Sequence, residues 1–157
     1  MNTLLICIQN ESDAMAKLVD ILTEEQAALT QAPSLSLMED ISAITQLKNQ
    51  QIAAISQLGK LRRNMLASLG FQQTETTMPE WLQDQAQKDG WAKLIKFTKK
   101  AKELNRVNGL LITRHLLRNQ TTLHVLTKHH RSNSGPSLYG ANGQSNNQRT
   151  TGRGFQV

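Results

Sequence analysis

His115, His124, His129 and His130, with Cys7 as the single cysteine, are the side chains of this chain best equipped for metal or nucleophilic chemistry. Their spacing supports neither. A zinc site needs Cys and His ligands at short intervals, or two His and a Glu in the HExxH arrangement on one helix face, and these histidines have no such companions. A lone cysteine permits no intramolecular disulfide, fits a reducing cytosol and reads as a packed free thiol. Gly140, Gly143, Gly152 and Gly154 follow no strand, so the phosphate-cradling geometry of a glycine loop does not apply to them. The carboxylates fall mostly on predicted exposed helix faces, where solvated charge is expected rather than paired acid and base work. These residues point to no enzyme, no metal site and no cofactor.

What remains is recognition. A long proline-free run, 89–131, carries apolar residues at three- and four-residue steps: Leu94, Phe97, Ala101, Leu104, Asn108 and Leu111, continued by Ile112, Leu116, Asn119, Leu123 and Leu126. The sequence LNRVNGLL interrupts this stripe with Asn105, Asn108 and Gly109, although Gly costs about 1 kcal/mol relative to Ala inside a helix. Two readings stay open. Either a buried Asn fixes helix register and the bare Gly admits a neighbouring helix closely, or the group is a docking notch for a further helix. Leu111, Ile112, Leu116, Leu117, Leu123 and Leu126 also offer more apolar surface than one seam against two other helices uses. Part of that surface is expected to stay exposed as a groove or anchor for a partner helix.

The elements that position these residues are all helical. Low aromatic content, 4%, together with abundant Leu, Ala, Gln and Asn, disfavours a sheet. Leu5, Ile8, Ser12, Met15, Val19, Leu22, Gln26 and Leu29 form a heptad seam, predicting a first helix over 2–31 that Pro33 terminates. Ser36 and Glu39 form a Ser-x-x-Glu capping box that opens a second helix over 34–70, lined by Leu37, Ile41, Ile44, Leu47, Gln51, Ile55, Leu58, Met65 and Leu69 and closed by Gly70. The short connection folds these two back on each other. Pro79 begins a short helix over 79–87, with Trp81 covering the end of the bundle, and the third long helix runs over 89–131. The expected architecture is an all-α, elongated antiparallel three-helix bundle over 1–131, a coiled-coil-like hairpin plus a long third helix. Residues 132–157, rich in Ser, Asn, Gly and Gln and without acids, predict a flexible basic tail in which Leu138, Tyr139 and Gly140 are either isolated apolar points in a solvated segment or a short motif that folds on a partner.

Charge divides the chain. Residues 1–59 hold two basic and seven acidic side chains, and residues 60–157 hold sixteen basic and five acidic ones, within an overall net charge of +6. Such a dipole fits an acidic first helix lying against a basic third one. It also supports a competing function, nucleic-acid binding through Lys93, Lys96, Lys99, Lys100 and Lys102, although aromatic interleaving is sparse and no recognition-helix module is present. A purely structural coiled-coil adaptor is a third reading. The segment MNTLLICIQNESD has no basic n-region and too short an apolar run for a signal peptide or membrane span, so a soluble cytoplasmic protein is expected.

Taken together, LTEEQAALTQ in an acidic first helix, KLRRNMLASLGF at the end of the second, DGWAKL, LNRVNGLLI and SLYGANGQ make the chain resemble the FlgN family, the flagellar type III export chaperones for hook–filament junction proteins. The chain departs from the family pattern in a longer glycine-rich basic end after Gln144. The resemblance implies a non-enzymatic cytosolic chaperone that keeps FlgK-like and FlgL-like subunits from assembling early and delivers them to the export gate or ATPase complex. On that expectation, the notch and excess apolar surface read above, Asn108, Gly109, Leu111, Ile112, Leu116, Leu117, Leu123 and Leu126, would hold the substrate's terminal helices. Leu138, Tyr139 and Gly140 would then bind either the substrate or, since the helix surface already accounts for substrate, a component of the export machinery.

Overall fold

The computed structural model describes residues 3–71 and 78–133, leaving aside the side chains of Pro79 and Asn133. All regular structure among the described residues is helical: α1, Thr3–Leu29; α2, Leu35–Ser68; α3, Met78–Trp81; and α4, Gln85–Asn133. The chain divides into two compact units, residues 1–115 and residues 116–157.

The first unit is built around α1. Twelve of its 27 residues are buried against four of 34 in α2, so α1 touches neighbours over a far wider arc. The seam residues Ile8, Ser12, Met15, Val19, Leu22 and Leu29 are buried, but so are Leu4, Glu11, Ala14, Leu18, Glu25 and Ala28 on its flanks. A heptad seam is the pattern of a helix with one partner; α1 has two, and its apolar face widens accordingly. Leu4, Ile8, Met15, Leu18, Val19 and Leu22 meet Leu66 of α2, Met78, Leu82, and Trp91, Leu94 and Ala101 of α4 in one apolar cluster.

The helix ends show where local chemistry decides. Ser34, in extended backbone, caps α2, its Oγ accepting from the Leu37 N–H at 3.1 Å. The cap is therefore Ser34 and not Ser36: Ser34 is the first hydroxyl after Pro33, and Ser36 is already inside the first turn. At the other end Gly70 takes a φ of 85°, and the Gly70 and Phe71 N–H groups donate to Ala67 O and Leu66 O at 3.0 and 3.1 Å. That is the left-handed glycine termination expected from the sequence.

α3 is a single turn rather than a helix over 79–87, and α4 begins four residues before Asp89. The start of α4 is set by a box that the sequence reading passed over, Asp84-x-x-Gln87. Asp84 Oδ1 accepts from the Gln87 N–H at 2.8 Å, and the buried Gln87 Oε1 accepts from the Gln83 N–H at 2.7 Å. Trp81 stacks on Phe71 with ring centroids 5.0 Å apart, covering the apolar cluster beside Leu82.

Candidate functional site

Two polar nodes inside the first unit fix how its helices register. In the first, Arg62 Nε of α2 donates to Glu11 Oε2 of α1 at 2.6 Å, and the same guanidinium lies 4.9 Å from the centroid of the Trp91 ring of α4. In the second, Glu25 of α1, 0% exposed, accepts from Lys48 Nζ of α2 at 2.6 Å and from Asn108 Nδ2 of α4 at 2.8 Å. Asn108 Nδ2 also donates to the Leu22 carbonyl at 2.9 Å. Glu11 and Glu25 are fourteen residues apart on α1, and Arg62 and Lys48 are fourteen apart on α2 in the reverse sense, so one antiparallel register satisfies both pairs.

α4 runs parallel to α1. Gly90 lies against Ile8, Asn108 against Leu22 and Glu25, and His115 Nε2 donates to the Leu29 carbonyl at 2.7 Å, satisfying one of the orphan acceptors at the end of α1. Buried ion pairs contribute little net stability, yet removing one partner strands a charge and costs about 3–5 kcal/mol. The nodes thus penalise a slipped register more than they strengthen the correct one.

This geometry shows what Asn108 and Gly109 meet in the free chain. Asn108, 1% exposed, is a register residue whose amide is spent on α1. Gly109 admits no neighbour: a Cβ built there would meet nothing within 4 Å. The close approaches fall at Gly59, where a Cβ would lie 3.2 Å from Glu11 Oε1, and at Gly90, where it would lie 3.2 Å from Ile8. Sequence reasoning missed Glu11, Glu25, Lys48 and Arg62 as core residues. The available signal was their matched fourteen-residue spacing on two helices predicted to be antiparallel.

Of the other sequence-predicted site residues, Leu111 and Ile112 are half-buried, and Leu116, Leu117, Leu123 and Leu126 are exposed. Every described side chain from Leu116 to Ser132 is exposed, Leu123 at 63% and Leu126 at 61%. Leu138, Tyr139 and Gly140 lie outside the described residues.

Within 116–133 the stripe Leu116, Asn119, Leu123, Leu126 keeps alternating three- and four-residue steps along α4, the spacing of a coiled-coil seam. Arg118, Lys128 and Arg131 stand off it, and the sequence from Asn105 onward contains no Asp or Glu. Among the described residues, a hollow of about 650 Å³ is bordered by His124, Thr127, Lys128, His130 and Arg131 of α4. Among the described residues no three His, Cys, Asp or Glu side chains converge as metal ligands. No described helix is long and apolar enough to cross a membrane. The exposed Glu103 carboxyl is held below its ordinary range by the Arg106 hydrogen bond, and Arg106 is raised in return, a surface pair of small consequence.

These features define a class: an all-α bundle with register fixed by buried polar nodes and with an apolar stripe exposed on the last part of its final helix. The chain belongs to the FlgN family, whose profile, described as FlgN protein, matches residues 1–147. It is 33% identical over 137 residues to the flagella synthesis protein FlgN of Proteus mirabilis, covering 87% of this chain and 86% of that one. It is similar also to the Escherichia coli K12 protein of that name, 28% identical over 142 residues, with 89% and 96% covered. The Salmonella typhimurium protein is 24% identical over 132 residues, with 78% and 91% covered. No solved structure matches the chain significantly. The profile match ends at residue 147, leaving 148–157 outside it.

Proposed function

We propose that this chain is a non-enzymatic cytoplasmic chaperone of flagellar assembly, which binds hook–filament junction subunits, FlgK-like and FlgL-like, through their terminal helices. It prevents their premature assembly and passes them to the export gate or ATPase complex. The observation that carries this reading is the exposed stripe of Leu116, Leu123 and Leu126 on a helix whose preceding part buries the same stripe. An amphipathic helix laid into such a seam gains apolar burial at three- and four-residue anchor positions. Family membership and the likeness to flagella synthesis proteins support the biological setting. Leu138, Tyr139 and Gly140 are assigned to the export machinery, because the stripe already accounts for the substrate and Tyr is an efficient anchor for short motifs.

Leu123→Asp tests the reading. The side chain is 63% exposed, so the variant is expected to keep its helix content and melting temperature. Its affinity for a purified junction subunit, measured by isothermal titration calorimetry, should fall by at least about tenfold, because a charge replaces an anchor. Unchanged affinity in the folded variant places the substrate elsewhere. Nucleic-acid binding, favoured by the exposed Lys93, Lys96, Lys99, Lys100 and Lys102, predicts instead a steep loss of affinity with salt and no response to this substitution.

A further inference from the structure

One stripe of α4 meets two environments, and the part whose partner is in the structure is a template for the part whose partner is not. Over 85–115 the stripe packs against α1, an acidic amphipathic helix with Glu11, Asp13, Asp20, Glu24 and Glu25 against the single Lys17. The polar member of the stripe there, Asn108, donates its Nδ2 to a carboxylate and a carbonyl of that helix, Glu25 Oε2 at 2.8 Å and Leu22 O at 2.9 Å, while its Oδ1 is buried without a partner. Asn119 is the next asparagine on the stripe. Eleven residues are three turns plus about 20° of rotation, so it repeats the position of Asn108. It is exposed and flanked by Leu116 and Leu123 at seam spacing.

Burying Asn119 under a partner without a hydrogen bond would cost more than the seam gains at that position, so the partner has to supply an acceptor. The surrounding charge says which kind. Arg118, Lys128 and Arg131 lie off the seam, about 100–160° around the helix from its centre, and no acid occurs from Asn105 to Val157, so the segment is net positive as a whole. The corresponding segment of a second copy would meet this surface with like charge. The chain's own residues 134–157 contain no Asp or Glu side chain to offer.

We infer that residues 116–133 take an acidic amphipathic helix resembling α1, and that Asn119 is the specificity-determining residue, donating its amide to a carboxylate on that helix. The inference rests on the substrate reading of this stripe and goes beyond it by specifying the chemistry of the partner and the residue that sets its register. In the seam Asn119 costs affinity towards apolar helices and rejects those without an acceptor at the matching turn, the usual use of a buried asparagine in a coiled coil.

The test compares Asn119→Leu, Asn119→Asp and Leu123→Asp in the full chain, titrated with a purified junction subunit. Asn119→Leu strands the partner's carboxylate and is expected to weaken binding about tenfold or more, although it adds apolar surface. Asn119→Asp places like charges together and is expected to weaken binding further. All three should melt as the parent chain does. If Leu123→Asp weakens binding while Asn119→Leu is neutral or tighter, the substrate surface stands and the carboxylate inference is overturned. If none of the three affects binding, both fall. Sedimentation analysis of the free chain adds a further check: dimerisation abolished by Leu123→Asp would identify the occupant as a second copy and overturn the inference.

Discussion

Residues 85–115 and 116–133 of α4 are two regions of one helix with one hydrophobic pattern and opposite fates. In the first, Leu94 is 3% exposed against α1; in the second, Leu123 is 63% exposed. Spacing does not distinguish them, and composition hardly does. The first region has α1 for a partner, and its stripe is used for stability. α1 ends at Leu29, whose carbonyl accepts from His115, and the stripe residues after it, Leu116, Asn119, Leu123 and Leu126, are exposed. An amphipathic pattern therefore states that a helix face wants covering, and burial shows which part of that face is covered in the free chain.

A matched pair of truncations separates the two regions by the largest expected effect. Leu94→Ala removes a side chain from the apolar cluster and should destabilise the chain by about 2–5 kcal/mol in urea unfolding. Leu123→Ala, on the same stripe, should shift stability by no more than about 0.5 kcal/mol. Similar losses at both positions would show that residues 116–133 are packed in the free protein and remove the basis for assigning them to a partner.

A smaller effect is expected at Gly109, just after the register asparagine. With nothing within 4 Å of a built Cβ, Gly109→Ala should stabilise the chain by up to about 1 kcal/mol, seen as a melting-temperature rise of a few degrees. A loss of junction-subunit affinity in that variant would return Gly109 to the binding surface as a notch. No change in melting temperature would show that α4 frays at this point.

Much of this architecture was legible in the sequence. The helical class, the hairpin, the glycine termination at Gly70 and the stripe of α4 follow from period, proline and glycine placement. The missing parts have identifiable causes. Ser36-x-x-Glu39 matches the capping box as well as Asp84-x-x-Gln87 does, and only the chain direction after Pro33 selects Ser34. Glu25, Lys48, Glu11 and Arg62 look like surface charge because an amphipathic reading places every charge outside. Their burial depends on pairing between helices, which no single-helix pattern contains. For the candidate site, the sequence showed an excess of apolar surface from Leu111 onward, and the structure shows where it begins to be exposed. Asn108 passed from candidate contact to register residue because its hydrogen-bond partners lie 83 and 86 positions away in the chain.

The central claim is that the exposed part of the α4 stripe, rather than the bundle, receives the substrate. Backbone amide hydrogen exchange of the full chain, with and without a saturating purified junction subunit, addresses it most directly. The account predicts fast exchange across residues 116–133 in the free chain and the largest slowing on binding in that same stretch. Largest slowing within residues 3–115, with 116–133 unchanged, would contradict it.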